Sequence, residues 1–156
     1  MSRLQDLINQ LCPNGVPYKT LGEVTVMARG AAITRKTTQE GDIPVIAGGQ
    51  KPAYYCAHAN RTEPCVTVAG SGAYAGFVSY WETPIFVSDA FSVMGTKDIS
   101  TKFLYHILKN MQERIYATKK GGGVPHVHIS SICKFRIPVP PMVVQEEIAR
   151  ILDCFT

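Results

Sequence analysis

Phe135-Arg136-Ile137-Pro138-Val139-Pro140-Pro141-Met142-Val143-Val144-Gln145-Glu146-Glu147-Ile148-Ala149-Arg150-Ile151-Leu152-Asp153 brings two incompatible backbone signals together at one point. Residues before the proline pair alternate outward and inward, and Pro140-Pro141 can neither donate to a sheet ladder nor continue a helix, so a strand ends there. Beyond the pair, Val144, Ile148, Ile151 and Leu152 recur at helical spacing, with Gln145, Glu146, Glu147 and Arg150 filling the other face. Acids early in that helix suit its positive end. An apolar stripe on a helix of about three turns is marginal in isolation and predicts a packing partner.

Upstream of this junction lies Thr118-Lys119-Lys120-Gly121-Gly122-Gly123-Val124-Pro125-His126-Val127-His128, a mobile basic loop. Lys119, Lys120, His126 and His128 suit phosphate contact, and alternation of Val127 and Ile129 predicts a strand with both histidines on its polar face. Phe103, Leu104, Ile107, Leu108, Met111 and Ile115 form one helical face behind Ser100 as N-cap, which is the main internal helix. Lys102, Lys109 and Arg114 fall on its outer side as ordinary solvation. Ile85 to Met94 supplies one or two strands, with Asp89 as a turn residue or buried hydrogen-bond acceptor.

Cys65-Val66-Thr67-Val68-Ala69 and Phe77-Val78-Ser79-Tyr80-Trp81 predict a hairpin around Gly70-Ser71-Gly72-Ala73-Tyr74-Ala75-Gly76. That turn is not a dinucleotide fingerprint. Its glycines are spaced Gly-x-Gly-x-x-x-Gly, and a strand rather than a helix follows. Ser71 and Tyr74 remain as ligand contacts. Gly41 to Ile46 is a short strand, and the loop Ala47 to Tyr55 concentrates groove chemistry. Gln50 can read adenine, Lys51 can reach guanine or phosphate, and Tyr54 and Tyr55 can pack on sugar or base. Arg29, Arg35 and Lys36 stand among small and hydroxyl residues that can approach phosphates. Tyr18 to Met27 reads as a strand. Leu4, Leu7, Ile8 and Leu11 form a short docking helix, broken at Cys12-Pro13-Asn14-Gly15.

The run Pro140-Pro141…Gln145-Glu146-Glu147-Ile148-Ala149-Arg150-Ile151-Leu152 resembles the junction in specificity subunits of type I restriction-modification enzymes, where a target recognition domain meets a long spacer helix. Leu11 to Val24, Val66 to Val78 and Gly121 to His126 are similar to the same family, so the resemblance covers essentially the whole chain. It implies a docking helix and turn at residues 1–15, a target recognition domain at 16–141 and the start of a spacer helix at 142–156. Leu4, Leu7 and Ile8 would then sit against Val144, Ile148, Ile151 and Leu152. Family subunits carry two recognition domains, so the chain resembles the first half of one, with fragment and natural half-length subunit both left open.

The implied fold is α+β: a single recognition domain, mainly antiparallel, with one packed internal helix and short terminal helices. The implied function is recognition of one half-site in double-stranded DNA. Modification subunits using S-adenosylmethionine, and restriction subunits using ATP and Mg, would do the chemistry. A second recognition half or a homodimer partner would complete the target.

Composition agrees with this frame. At 156 residues, 46% of them hydrophobic, the chain suits one domain with a proper core. A net charge of +4 permits a polyanionic partner. Five cysteines at irregular spacing, with no long apolar run, fit a reducing cytoplasm and no membrane span. No cofactor or metal is expected in this chain, because neither an Asn/Asp-Pro-Pro-Tyr motif nor paired Cys/His ligand spacing occurs. Two rivals stand beside this reading. One is a helix-mediated assembly module without DNA specificity; the other is a small metal-dependent hydrolase or nuclease using His126, His128 and Asp89.

Overall fold

The computed structural model describes residues 2–156. In chain order the elements are α1 (Arg3–Leu11), β1 (Tyr18–Thr20), α2 (Leu21–Val24), β2 (Thr25–Arg29), β3 (Ile43–Ile46), β4 (Tyr54–Cys56) and β5 (Cys65–Ala69). Then follow β6 (Val78–Trp81), β7 (Phe86–Val87), β8 (Ala90–Gly95), α3 (Thr101–Asn110), α4 (Gln112–Tyr116), α5 (Ile129–Ile132), β9 (Arg136–Pro138) and α6 (Met142–Asp153). The fold is α+β, as the sequence implies.

The centre is a four-stranded antiparallel sheet in the order β2-β8-β5-β6. All five residues of β5 are buried because both faces of the strand are covered. Val66 and Val68, with Phe91 and Val93 of β8, join Phe103, Leu104, Leu108 and Ile115 in the main core. Each of these large side chains contributes about 1.5–3 kcal/mol by leaving water. Cys65 points the other way, into a smaller cluster with Ile46, Ile85, Val87 and Ala90. That cluster seats a three-stranded sheet, β4-β3-β7, in which β3 and β7 run parallel. A third sheet pairs β1 with β9, joining the two ends of the chain.

Several expectations need correction. Tyr18 to Met27 is two strands with a helical turn between them: Glu23 accepts the Thr20 amide at 2.7 Å and its hydroxyl at 2.9 Å, a capping interaction that outcompetes the extended chain. The internal helix breaks at Met111 into α3 and α4, although Ser100 caps it at the Phe103 amide as expected. Beside the break, Gln112 leaves the helix surface to bond Val78 N and Gly76 O. The segment around Val127 is held by isolated bridges, not a strand, and turns at once into α5. Tyr54 and Tyr55 lie on strand β4, paired to β3, rather than in a loop. Lys102, Lys109 and Arg114 do more than meet solvent: they cover the rings of Tyr80, Phe77 and Phe135 at 4.2, 4.0 and 4.7 Å.

The largest correction concerns α6. Gln145 and Glu147, assigned to its polar face, are 0% and 5% exposed. Gln145 donates to the Asp98 and Pro140 carbonyls and accepts the Ser100 amide, so a polar side chain fills a core position with its hydrogen bonds made. Glu147 is covered by Arg150, at 2.8 Å, and by Arg3 of α1, at 3.6 Å. Helix α1 packs against α6, with Leu4, Leu7 and Ile8 half-buried. The C-terminal end of α6 is tied to α3 by His106, whose Nε2 lies 2.7 Å from Asp153 Oδ1.

Candidate nucleic-acid interface

Strand β8 has two ends with different neighbours. At Gly95 it meets Thr25 of β2, and the chain continues into the Ser100 cap that holds α6. At Ala90 it meets Ala69 of β5, with Arg29 of β2 opposite Phe91. The turn of the β5-β6 hairpin, the β7-β8 turn and the start of the 29–38 loop therefore share the end of the sheet away from the Ser100–Gln145 junction. There they border an open cleft of about 660 Å³, lined by Arg29, Gly30, Ile33, Gly70, Asp89, His126, His128 and neighbouring residues.

Residues far apart in sequence are locked together at this end. Gly72 N donates to Pro125 O and Val127 N to Gly70 O, laying the 125–127 segment along the hairpin turn. Lys120 pairs with His126 through both backbone hydrogen bonds, at 2.9 and 2.8 Å. Val127 is buried while His126 and His128 are exposed, with their rings stacked 6.0 Å apart. The two histidines thus share a face without a strand to place them. Lys119 reaches the Ala73 carbonyl at 3.2 Å and lies over the Tyr116 ring, which fixes its charge at the hairpin turn; Tyr74, the next residue of that turn, is exposed.

The loop Ala47 to Lys51 enters the same neighbourhood. A Cβ at Gly48 would stand 2.5 Å from the Ser71 carbonyl oxygen, so only glycine lets these two loops approach. Gln50 and Lys51 are exposed beyond it. Arg35 and Lys36 are exposed on the 29–38 loop, Arg35 at 5.2 Å from the Tyr54 ring. The two tyrosines differ: Tyr55 is 54% exposed, whereas the Tyr54 hydroxyl is buried and meets no hydrogen-bond partner among the described residues. Asp89 occupies the β7-β8 turn and is exposed rather than buried; its carboxylate accepts the Ser71 hydroxyl. His126, His128 and Asp89 do line one cleft, but among the described residues no three His, Cys, Asp or Glu side chains gather to hold a metal ion.

Sequence reasoning missed two supports of this end. Arg61 bonds Ser92 Oγ at 2.8 Å and the carbonyls of Ala28 and Arg29, so a guanidinium spends its donors on the end of β2. Asn60 pairs its side-chain amide with both backbone groups of Val87, finishing the edge of β7. Nothing in their local sequence marks either role.

A family model described as the type I restriction modification DNA specificity domain matches residues 13–156. The chain belongs to this family. Curated relatives include a putative type I restriction enzyme specificity subunit of Haemophilus influenzae, 27% identical over 154 residues and 90% of this chain. A putative type I specificity subunit of Mycoplasma pneumoniae is 26% identical over 97% of it. The chain spans 37% and 52% of the lengths of these specificity subunits. Among solved structures, the type I S subunit from M. genitalium superposes with a TM-score of 0.80 at 23% identity, over 91% of this chain and 40% of that one. The HsdS subunit from Thermoanaerobacter tengcongensis gives 0.69 at 18%, over 96% and 41%. These likenesses establish the fold as that of a specificity-subunit domain. Among the described residues, no helix is long and apolar enough to cross a membrane.

Proposed function

We propose that the chain recognises one half-site in double-stranded DNA through the loops at the Ala90 end of its central sheet. The observation that carries this reading is the convergence there of Arg29, Ser71, Lys119, Lys120, His126 and His128, with Gln50 and Lys51 nearby, on a scaffold fixed by backbone pairing. Cations and backbone amides would hold phosphates, while polar side chains from several loops would meet base edges. The α1-α6 pair stands off at the Ser100 junction, free to join a second recognition half or a homodimer partner. In the working assembly, modification subunits with S-adenosylmethionine and restriction subunits with ATP and Mg would act on the DNA that this domain selects.

Selection from a pool of randomised duplex DNA at two salt concentrations tests the reading. An enriched short motif, bound more weakly at high salt, is the expected result. Retention without enrichment would refute sequence recognition by this chain.

A second reading, assembly through α6 without DNA specificity, draws on Leu152 and Phe155, which are 38% and 82% exposed. Absence of DNA retention at either salt would favour it.

A further inference from the structure

Asp89 is the one acidic residue, among those described, lining a cleft whose other charged or titratable side chains are Arg29, His126 and His128. A carboxylate facing a polyanion repels phosphate, so in such a cleft it is a poor backbone contact. It is also an acceptor-only group, and in the major groove the donors available are the amino groups of cytosine and adenine.

The surroundings of Asp89 fix it in place. Ser71 donates its hydroxyl to Oδ2, which among the described residues is the one hydrogen bond the carboxylate receives. Its backbone carbonyl accepts the Gly70 amide at 3.0 Å, and the preceding Ser88 amide bonds Ile46 O at 2.8 Å. A Cβ at Gly70 would lie 2.8 Å from Oδ1, too close for an ordinary contact. Gly70 thus leaves space beside one exposed carboxylate, and the Ser71 hydroxyl orients it through Oδ2 with Oδ1 left to accept.

Building on the DNA-recognition reading, we propose that Asp89 is a base-reading residue that accepts an exocyclic amino group in the major groove, cytosine N4 or adenine N6. Ser71 is its positioning residue. Because the contact rejects bases without that amine instead of adding charge attraction, Asp89 sets selectivity while lowering affinity for DNA in general.

The test repeats the randomised-duplex selection with Asp89→Ala, Asp89→Asn and Ser71→Ala, each checked for an intact unfolding transition. Wild type should show one motif position restricted to cytosine or to adenine, and the base found there distinguishes the two amines. In Asp89→Ala that position should relax by about tenfold, with every other position kept and binding to unselected DNA equal or tighter. Ser71→Ala, which keeps the charge, should relax the same position, and it carries the test if the Asp89 variants do not fold. An unchanged motif in Asp89→Ala, or an equal loss of affinity for all sequences, would overturn the assignment. A wild-type chain that enriches no motif would instead refute the recognition reading on which it rests.

Discussion

Gln145 Oε1 accepts the Ser100 backbone N–H at 2.8 Å, which makes the first turn of α6 and the N-cap of α3 one hydrogen-bonded unit. The same side-chain amide donates to Asp98 O at 2.9 Å and Pro140 O at 2.8 Å. A helix that begins after two prolines is thereby fastened to the core by its own fourth residue. Gln145→Ala would leave the Pro140 carbonyl unmet in the core and remove the partner of the half-buried Ser100 amide and Asp98 carbonyl, and we expect it to cost about 3 kcal/mol. Urea unfolding measures this directly; a loss under about 1 kcal/mol would show that the groups find other partners.

Glu147 is held below the ordinary carboxylate value of 4.5, first by its hydrogen bonds to Arg150, then by the charges of Arg150 and Arg3. A lowered value means that folding favours the ionised form. Its contribution is therefore present above about 4.5 and is lost as pH falls through the folded value. The acid limb of stability against pH should be shallower for Glu147→Gln than for wild type. Identical limbs would contradict the contribution.

The buried Tyr54 hydroxyl pairs with nothing among the described residues. Tyr54→Phe removes an unmet polar group and should leave stability unchanged or raise it by up to about 1 kcal/mol. DNA affinity should not change, in contrast to Tyr55→Ala on the exposed side of the same strand. Loss of DNA binding in Tyr54→Phe would mean that the hydroxyl turns outward to the ligand.

Arg29 and Lys120 are exposed at the cleft end of the sheet. Replacing both with alanine should weaken binding to all duplexes alike and lower the salt slope by about 2, one for each phosphate these cations would neutralise. Titration across a salt series, with selected and unselected duplex, reads both quantities. An unaltered slope would remove these two residues from the interface.

Much of this architecture was legible in the chain because strong local signals agreed with tertiary demand. The Cys65–Trp81 hairpin, the Ser100 cap and the proline stop before α6 all appear as read. Where structure and sequence expectation differ, a weak local signal or a distant contact decides. Thr20-Leu21-Gly22-Glu23 has the spacing of a capping box, enough to foresee α2. Gln145 and Glu147 were unreadable, because a polar residue enters a core only where partners await it, and those partners come from residues 98–100 and from the two arginines. The loop residues of the cleft could be named individually from donors, glycines and cations. Their grouping could not, since it depends on the pairing of Ala69 with Ala90 and of Lys120 with His126.

The central claim is that DNA is read at the Ala90 end of the sheet and not by the α1-α6 pair. Amide hydrogen exchange on the chain with and without its selected duplex tests this most directly. We expect added protection in the segments around Gly30, Ser71 and Lys120 to His128, with α1 and α6 unchanged. Protection confined to α1 and α6, or none anywhere, would contradict the account.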